Sequence, residues 1–370
     1  MANENNTRKE IEHVSDFIDS VSNIISNHND PNFHFVYRGE CLKYDKYCSP
    51  SIFRKNVLST NPLYEKSLFN TMRQNKLSNN TSYLENAIDA QHGEFPSRLL
   101  DVTYNCLVAL YFAVTPYYHS KSNKYDDDDG MVYVFYVDEI FSPSAQNTNE
   151  NYDAIINKNF SWFNDHAIFE KNHKFIDHTK INNRIIAQQG AFILFQGNDD
   201  ESIPSYMISG IVIPGKAKSN IRKELSLMFG INTGSIYPEI VNVAEDLVNK
   251  SKSLVTEPFC WENEIKYVLN NLKKELSYYT KYLFNIKSNR NMDYYKVVQA
   301  VESLINSYRV GLIDFLNHFK DYNFEDQEKK YPDTINSIIN RYNAIITEAA
   351  EDLLVRCETS ISEGLTIKTI

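Results

Sequence analysis

The chain has 370 residues, 42% hydrophobic and 23% charged, with only 11 glycines, so wholesale disorder and Gly-rich or collagen-like structure are excluded. Its 48 acidic and 38 basic residues leave a formal net charge of −10. Retention of duplex nucleic acid by bulk charge is therefore excluded, because the phosphate contribution to such binding demands a basic protein.

The N-terminal residues 1–9 are polar and read as a frayed end with no signal peptide. An amphipathic helix follows, with Ile11, Val14, Phe17, Ile18, Val21, Ile24 and Ile25 on one face, and the Asn/Asp cluster with Pro31 ends it. FHFVYRGE at 33–40 reads as a strand. Residues 41–62 read as loop, with Pro50 and Pro62 as breakers. Helices are expected from Leu63 to about Asn75 and over 82–93. SRLLDVT after Pro96 reads as loop or short strand, and the apolar run 107–114 as a buried helix.

KSNKYDDDDG at 121–130 reads as a solvated charged loop, since a calcium loop spaces its ligands at alternating positions. MVYVFYV behind it is the clearest strand. Residues 142–183 read as Asn-rich and irregular, with an aromatic cluster at Phe160, Trp162 and Phe163. AFILF at 191–195 and SYMISGIVIP at 205–214 supply two more strands, and 216–231 a helix closed by Gly230.

The pattern changes near 245. Beyond 261 three amphipathic segments follow, the last carrying Ile335, Ile338, Ile339, Tyr342, Ile345, Ile346 and Leu353 with Leu354. The expected fold class is α+β, a mixed sheet with packed helices, followed by an all-α C-terminal helical bundle.

No apolar stretch approaches the roughly 20 residues that span a bilayer. The five cysteines, Cys41, Cys48, Cys106, Cys260 and Cys357, fit neither a zinc site nor a disulfide framework. A soluble cytoplasmic protein with reduced thiols is expected, with no metal and no membrane partner.

Three constellations could carry chemistry. In Tyr37-Arg38-Gly39-Glu40, an Arg ending an apolar strand needs a partner. That partner is an anionic ligand, which its planar fork suits, or a structural ion pair with Glu40 or Asp101. Gly39 lets the backbone turn or come close to a ligand. The second, Ala90-Gln91-His92-Gly93 with Pro96 to Thr103, gathers His92, Arg98, Asp101 and Thr103. In the third, Arg184 precedes Gln188-Gln189-Gly190, two amides suited to a polar ligand edge. No P-loop, GxGxxG, HExxH or CxxC spacing occurs.

Together these blocks resemble the FRG domain family. Tyr37-Arg38-Gly39 matches its aromatic-Arg-Gly motif, and Ser49-Pro50-Ser51-Ile52-Phe53-Arg54 its SPSIFR-like stretch. Ala90 to Thr103 resembles AQHYGLPTRLLDWT, and Asn105 to Ala113 resembles NPLVALYFA. Arg184, Gln188, Gln189, Gly190 and Phe192 fit R-x-x-x-QQG-x-F, and Gly230 to Pro238 a closing segment. The departures are Glu94 after Gly93, Val102 for a Trp, and Cys106 for a Pro. The resemblance covers an FRG domain over 30–245; an N-terminal helix over 1–29 and a helical module over 246–370 are expected outside it.

The resemblance implies a toxin-like effector of bacterial anti-phage defence with an ADP-ribosyltransferase-like cleft for NAD or another nucleotide. It is either a transferase or NAD glycohydrolase, or a non-catalytic nucleotide sensor acting through a protein partner on the C-terminal helices. On that analogy Arg38, His92, Thr103 and Gln189 are catalytic, and Tyr37, Glu40, Arg98, Asp101, Arg184 and Gln188 bind the substrate. An amide in place of the usual Glu carries no charge to stabilise an oxocarbenium-like transition state. Glu40, Asp101 or Glu201 would have to supply it.

Overall fold

The computed structural model describes residues 10–28, 33–77, 82–93, 95–116, 124–157, 167–177, 183–254, 260–287, 294–318, 331–358, 360–362 and 364–369. The chain divides into two compact units, Met1–Ser253 and Leu254–Ile370.

The first unit is built on a seven-stranded mixed sheet. Its strands are β1 (His34–Glu40), β2 (Leu99–Thr103), β3 (Gly130–Val137), β4 (Ile140–Phe141), β5 (Lys174–Ile176), β6 (Gly190–Leu194) and β7 (Ile208–Ile213). Across the sheet they run β4-β5-β6-β2-β1-β3-β7. β4 and β5 are parallel; the other neighbours are antiparallel.

Every residue of β3 is buried, which explains its unbroken apolar run. Met131, Tyr133, Phe135 and Val137 join the layer on one face, with Val36, Leu100, Val102, Ile193 and Phe195. Val132, Val134 and Tyr136 face the opposite layer, as the period of two requires. There β3 is covered by α1 (Val14–Ser26), α6 (Cys106–Val114) and α9 (Lys218–Phe229). A separate cluster packs Leu99, Phe192 and Leu194 against α4 (Tyr64–Gln74), α5 (Tyr83–His92) and α7 (Gln146–Asn157). Thus one apolar layer runs across β2 and β1, while the other is divided between them.

The division coincides with a weak seam in the sheet. β1 pairs with β3 along its whole length, from His34 to Glu40, but with β2 only at Tyr37 and Thr103. Beyond that pair the two central strands part.

Gly39 lies against α6 as well as on the wall of an open cleft. A Cβ there would lie 1.8 Å from the Ala109 carbonyl oxygen, and one at Gly130 would lie 2.4 Å from that of Ala113. These two glycines let α6 lie directly on β1 and β3. The Asn105 side chain caps α6, accepting from the Leu107 N–H at 2.9 Å. Cys106 thus occupies the first helical position, where Pro is favoured but not required.

Three segments are more ordered than their sequences suggest. The region 41–62 holds two short helices, α2 (Ser51–Arg54) and α3 (Val57–Thr60). The Asn-rich stretch after 142 holds α7, whose polar face conceals the buried Tyr152, Ile155 and Ile156. In the acidic run, Asp126 forms a two-point ion pair with Arg222, and Asp129 accepts from the Gly215 N–H at 3.0 Å. Among the described residues no group of three His, Cys, Asp or Glu is placed to hold a metal. The cluster of Phe160, Trp162 and Phe163 lies outside the described residues.

α8 (Asn183–Gln188) leads into β6. α10 (Thr233–Ile236) and α11 (Ile240–Ser253) close the first unit, and α11 spans the boundary expected near 245. In the second unit α12 (Trp261–Lys287), α13 (Tyr294–His318) and α14 (Tyr331–Cys357) pack together. Their seam contains Leu269, Leu272, Leu276, Val301, Ile305, Leu312, Ile335, Ile339, Tyr342 and Ile346. Leu354, expected on the apolar face, is exposed. The Tyr342 hydroxyl donates to the Leu365 carbonyl at 2.9 Å and Asn343 pairs with the Ile367 backbone, so the tail after α14 lies against the bundle. No described helix is long and apolar enough to cross a membrane.

Candidate functional site

Where β1 and β2 part, a cleft of about 430 Å³ opens. Its wall includes Tyr37, Arg38 and Glu40 from β1, Asp101 and Thr103 from β2, and Arg184 and Gln188 from α8. The size is ordinary for a small-molecule site. Seven of the ten site residues expected from sequence therefore meet here, from segments separated by up to about 150 positions.

Arg38 spans the seam. Its Nε donates to Glu40 Oε1 at 2.9 Å and its Nη1 to the Asp101 carbonyl at 2.8 Å, a backbone oxygen beyond the last rung of the β1–β2 ladder. Burial works against the Arg38 charge, but Glu40, Cys48 and Asp101 together outweigh it and the pKa rises further. Glu40 is almost sealed, its side chain 3% exposed. Its Oε1 also accepts from the Cys48 N–H at 3.3 Å, whereas its Oε2 has no partner among the described residues. The ion-pair reading of Arg38 thus holds, and the same residue borders open space.

Asp101 is exposed and its Oδ2 accepts from Gln91 Nε2 at 2.8 Å, so a carboxylate is fixed on the cleft wall. Thr103 is buried and committed: its hydroxyl donates to the Gln188 carbonyl at 2.6 Å and accepts from the Asn105 N–H at 3.0 Å. It joins β2, α6 and α8 and has no proton left to offer a ligand. The Gln188 amide donates to the Ile236 carbonyl at 3.3 Å. Arg184 lies over the Tyr237 ring at 4.6 Å, with Nε 3.9 Å from Glu239 Oε1. Burial pushes the Tyr237 phenol up, and the Tyr37 phenol up to about 12, so both stay neutral near pH 7.

Two expectations are corrected. Arg98 does not reach the cleft. It is 3% exposed, its Nε donates to Glu65 Oε2 at 2.7 Å, and its Nη1 meets the carbonyls of Phe195, Gln196 and Gly197 at 3.0–3.2 Å. It closes the end of β6 from within the protein. Gln189 stands apart from Gln188. It takes a left-handed backbone (φ 47°), its side chain is exposed outside the cleft, and its carbonyl accepts from the Tyr104 N–H. A turn of that hand rotates consecutive residues to different sides. The His92 side chain lies outside the described residues.

The structure adds residues that sequence reasoning left out of the site. Arg54 and Lys55, from the end of α2, line the cleft and are exposed. Tyr44, Tyr111, Phe112 and Tyr237 give it aromatic walls. The SPSIFR-like stretch contains Arg54 and the closing segment Gly230 to Pro238 contains Tyr237; these are the signals the sequence offers. Four cations, Arg38, Arg54, Lys55 and Arg184, face two carboxylates, Glu40 and Asp101. In a chain of net charge −10 this is a local reversal of sign.

Comparison with known families places an FRG domain at residues 33–122. Arg184, Gln188 and Tyr237 fall beyond that span, yet they complete the same cleft. No curated protein and no solved structure matches the chain.

Proposed function

We propose that this FRG-domain protein binds a nucleotide in the cleft between β1 and β2, with NAD as the leading candidate. The observation that carries this reading is the cationic, aromatic-walled cleft in an acidic protein. Arg54 and Lys55 supply exposed charge for phosphate, and Tyr111, Phe112 and Tyr237 supply ring faces for a base. Arg38, already held by Glu40 and the Asp101 carbonyl, positions the edges of the two strands.

The committed Thr103 hydroxyl and the uncharged Gln188 favour binding and sensing over turnover. The catalytic reading, a toxin-like NAD-consuming effector of bacterial anti-phage defence, is favoured by one observation: the exposed Asp101 carboxylate steadied by Gln91. An oxocarbenium-like centre beside it would be stabilised electrostatically.

Incubating the purified chain with NAD, then measuring binding by calorimetry and nicotinamide by chromatography, separates these readings. Release of nicotinamide that disappears in Asp101→Asn supports the effector. Binding without release supports the sensor. Absence of binding to NAD, ATP and AMP alike overturns both.

A further inference from the structure

Helix α2 has two sides. Ser51, Arg54 and Lys55 line the cleft, while Ile52, Phe53 and Arg54 line a second concavity of about 550 Å³. Arg54 belongs to both, and its guanidinium makes no ion pair or hydrogen bond to a described residue. It is an exposed, unengaged fork at the waist between two spaces.

The second concavity differs in chemistry from the first. Its floor is apolar, with Ile52 and Leu58 buried. Its rim carries Ser59, Asn198 and Asp199, all exposed. Lys46 is balanced by Asp200: Nζ lies 3.5 Å from Oδ2, which also accepts from the Ser49 hydroxyl at 2.8 Å. Lys46 and Arg54 against Asp199 and Asp200 leave no net charge. An apolar floor under a rim of hydroxyl, amide and carboxylate groups suits a flat base joined to a hydroxyl-bearing sugar, which is a nucleoside rather than a free phosphate.

We infer that the ligand is two-headed, a dinucleotide whose pyrophosphate lies at Arg54, with one nucleoside in the cleft and the other in the second concavity. This rests on the proposed nucleotide binding at the first cleft. A guanidinium donates two parallel bonds to adjacent phosphate oxygens. Joining two heads makes the second contact intramolecular and raises affinity without further contacts elsewhere.

The test is a calorimetric titration of the full chain with AMP and with NAD, in the wild type and in Ser59→Trp and Asn198→Trp. Both substitutions fall on the exposed rim of the second concavity, and circular dichroism checks that each variant is folded. The expected result is NAD binding at least about tenfold tighter than AMP in the wild type, with that advantage lost in both tryptophan variants and AMP unaffected. Equal affinity for AMP and NAD in the wild type, or an advantage that survives both variants, overturns the two-headed ligand while leaving nucleotide binding intact. Binding of neither probe overturns both.

Discussion

A buried arginine and a half-buried one, each paired with a glutamate, have opposite roles in the first unit. Arg98 meets Glu65 and three carbonyls, and Tyr152 donates to the other Glu65 oxygen at 3.4 Å. Arg38 meets one oxygen of Glu40 and one carbonyl, remains 15% exposed, and borders a cleft. The chemistry is the same; the number of acceptors that the fold supplies differs. Full satisfaction makes a structural clasp, while partial satisfaction beside open space makes a positioning group.

The comparison breaks most directly at Arg98. Arg98→Ala leaves Glu65 buried without its counter-charge, and denaturant unfolding should show a loss of about 3–5 kcal/mol. Replacing both Arg98 and Glu65 by Met should recover part of it; a loss from Arg98→Ala close to that of an exposed arginine would contradict the clasp. Gly39→Ala sets a Cβ against the α6 backbone and should cost about 1–3 kcal/mol or more. A shift in unfolding midpoint near zero would mean that α6 can move off β1.

The cleft side should answer differently. Arg54→Ala and Lys55→Ala should change stability by no more than about 0.5 kcal/mol, as exposed substitutions do. The same pair should weaken nucleotide binding about tenfold or more. Equal loss of stability and affinity would erase the contrast with Arg98.

The smallest effect concerns a third pair, on the surface. His13 Nδ1 lies 2.6 Å from Glu224 Oε1, and the Val14 N–H donates to Glu224 Oε2 at 2.8 Å, tying α1 to α9. The hydrogen bond to Glu224 raises the His13 pKa above its ordinary 6.5. Burial would raise that of Glu224, but the Val14 N–H and His13 outweigh it and lower it below 4.5. The His13 contribution is full below its unfolded pKa and fades as pH rises through the folded one. The Glu224 contribution is full above its unfolded pKa and fades as pH falls through the folded one. The tie should therefore be strongest between pH 4.5 and 6.5. His13→Ala should flatten the alkaline side of a thermal-stability profile slightly; an unchanged profile would show the tie to be idle.

Much of this architecture is legible in the sequence where the pattern is periodic. The apolar positions of α12–α14, the β-branched and aromatic run of β3 and the Gly230 stop, with its left-handed φ of 65°, all read directly. α7 is not legible, because its buried Tyr152, Ile155 and Ile156 are outnumbered by Asn and Gln on the other face. The motif residues Arg38, Asp101, Arg184 and Gln188 converge as their shared blocks suggest. The role of Arg98 is hidden, since its partners at 65 and 195–197 are remote in sequence and nothing near Arg98 announces them. Tyr237 lies in the closing segment that the resemblance covers, but its place in the cleft beside Arg184 depends on contacts remote in sequence. The Gly of the aromatic-Arg-Gly motif reads as a ligand approach in sequence; in space it borders the cleft and also admits the close packing of α6, which the sequence does not announce.

The most direct measurement is a calorimetric titration of the full chain with NAD, at low and high salt, in the wild type and the Arg54→Ala/Lys55→Ala variant. A cationic nucleotide cleft predicts wild-type binding that weakens with salt, and at least about tenfold weaker binding in a variant with an unchanged unfolding midpoint. Wild-type binding that neither salt nor the double substitution alters, or no binding at all, would contradict it.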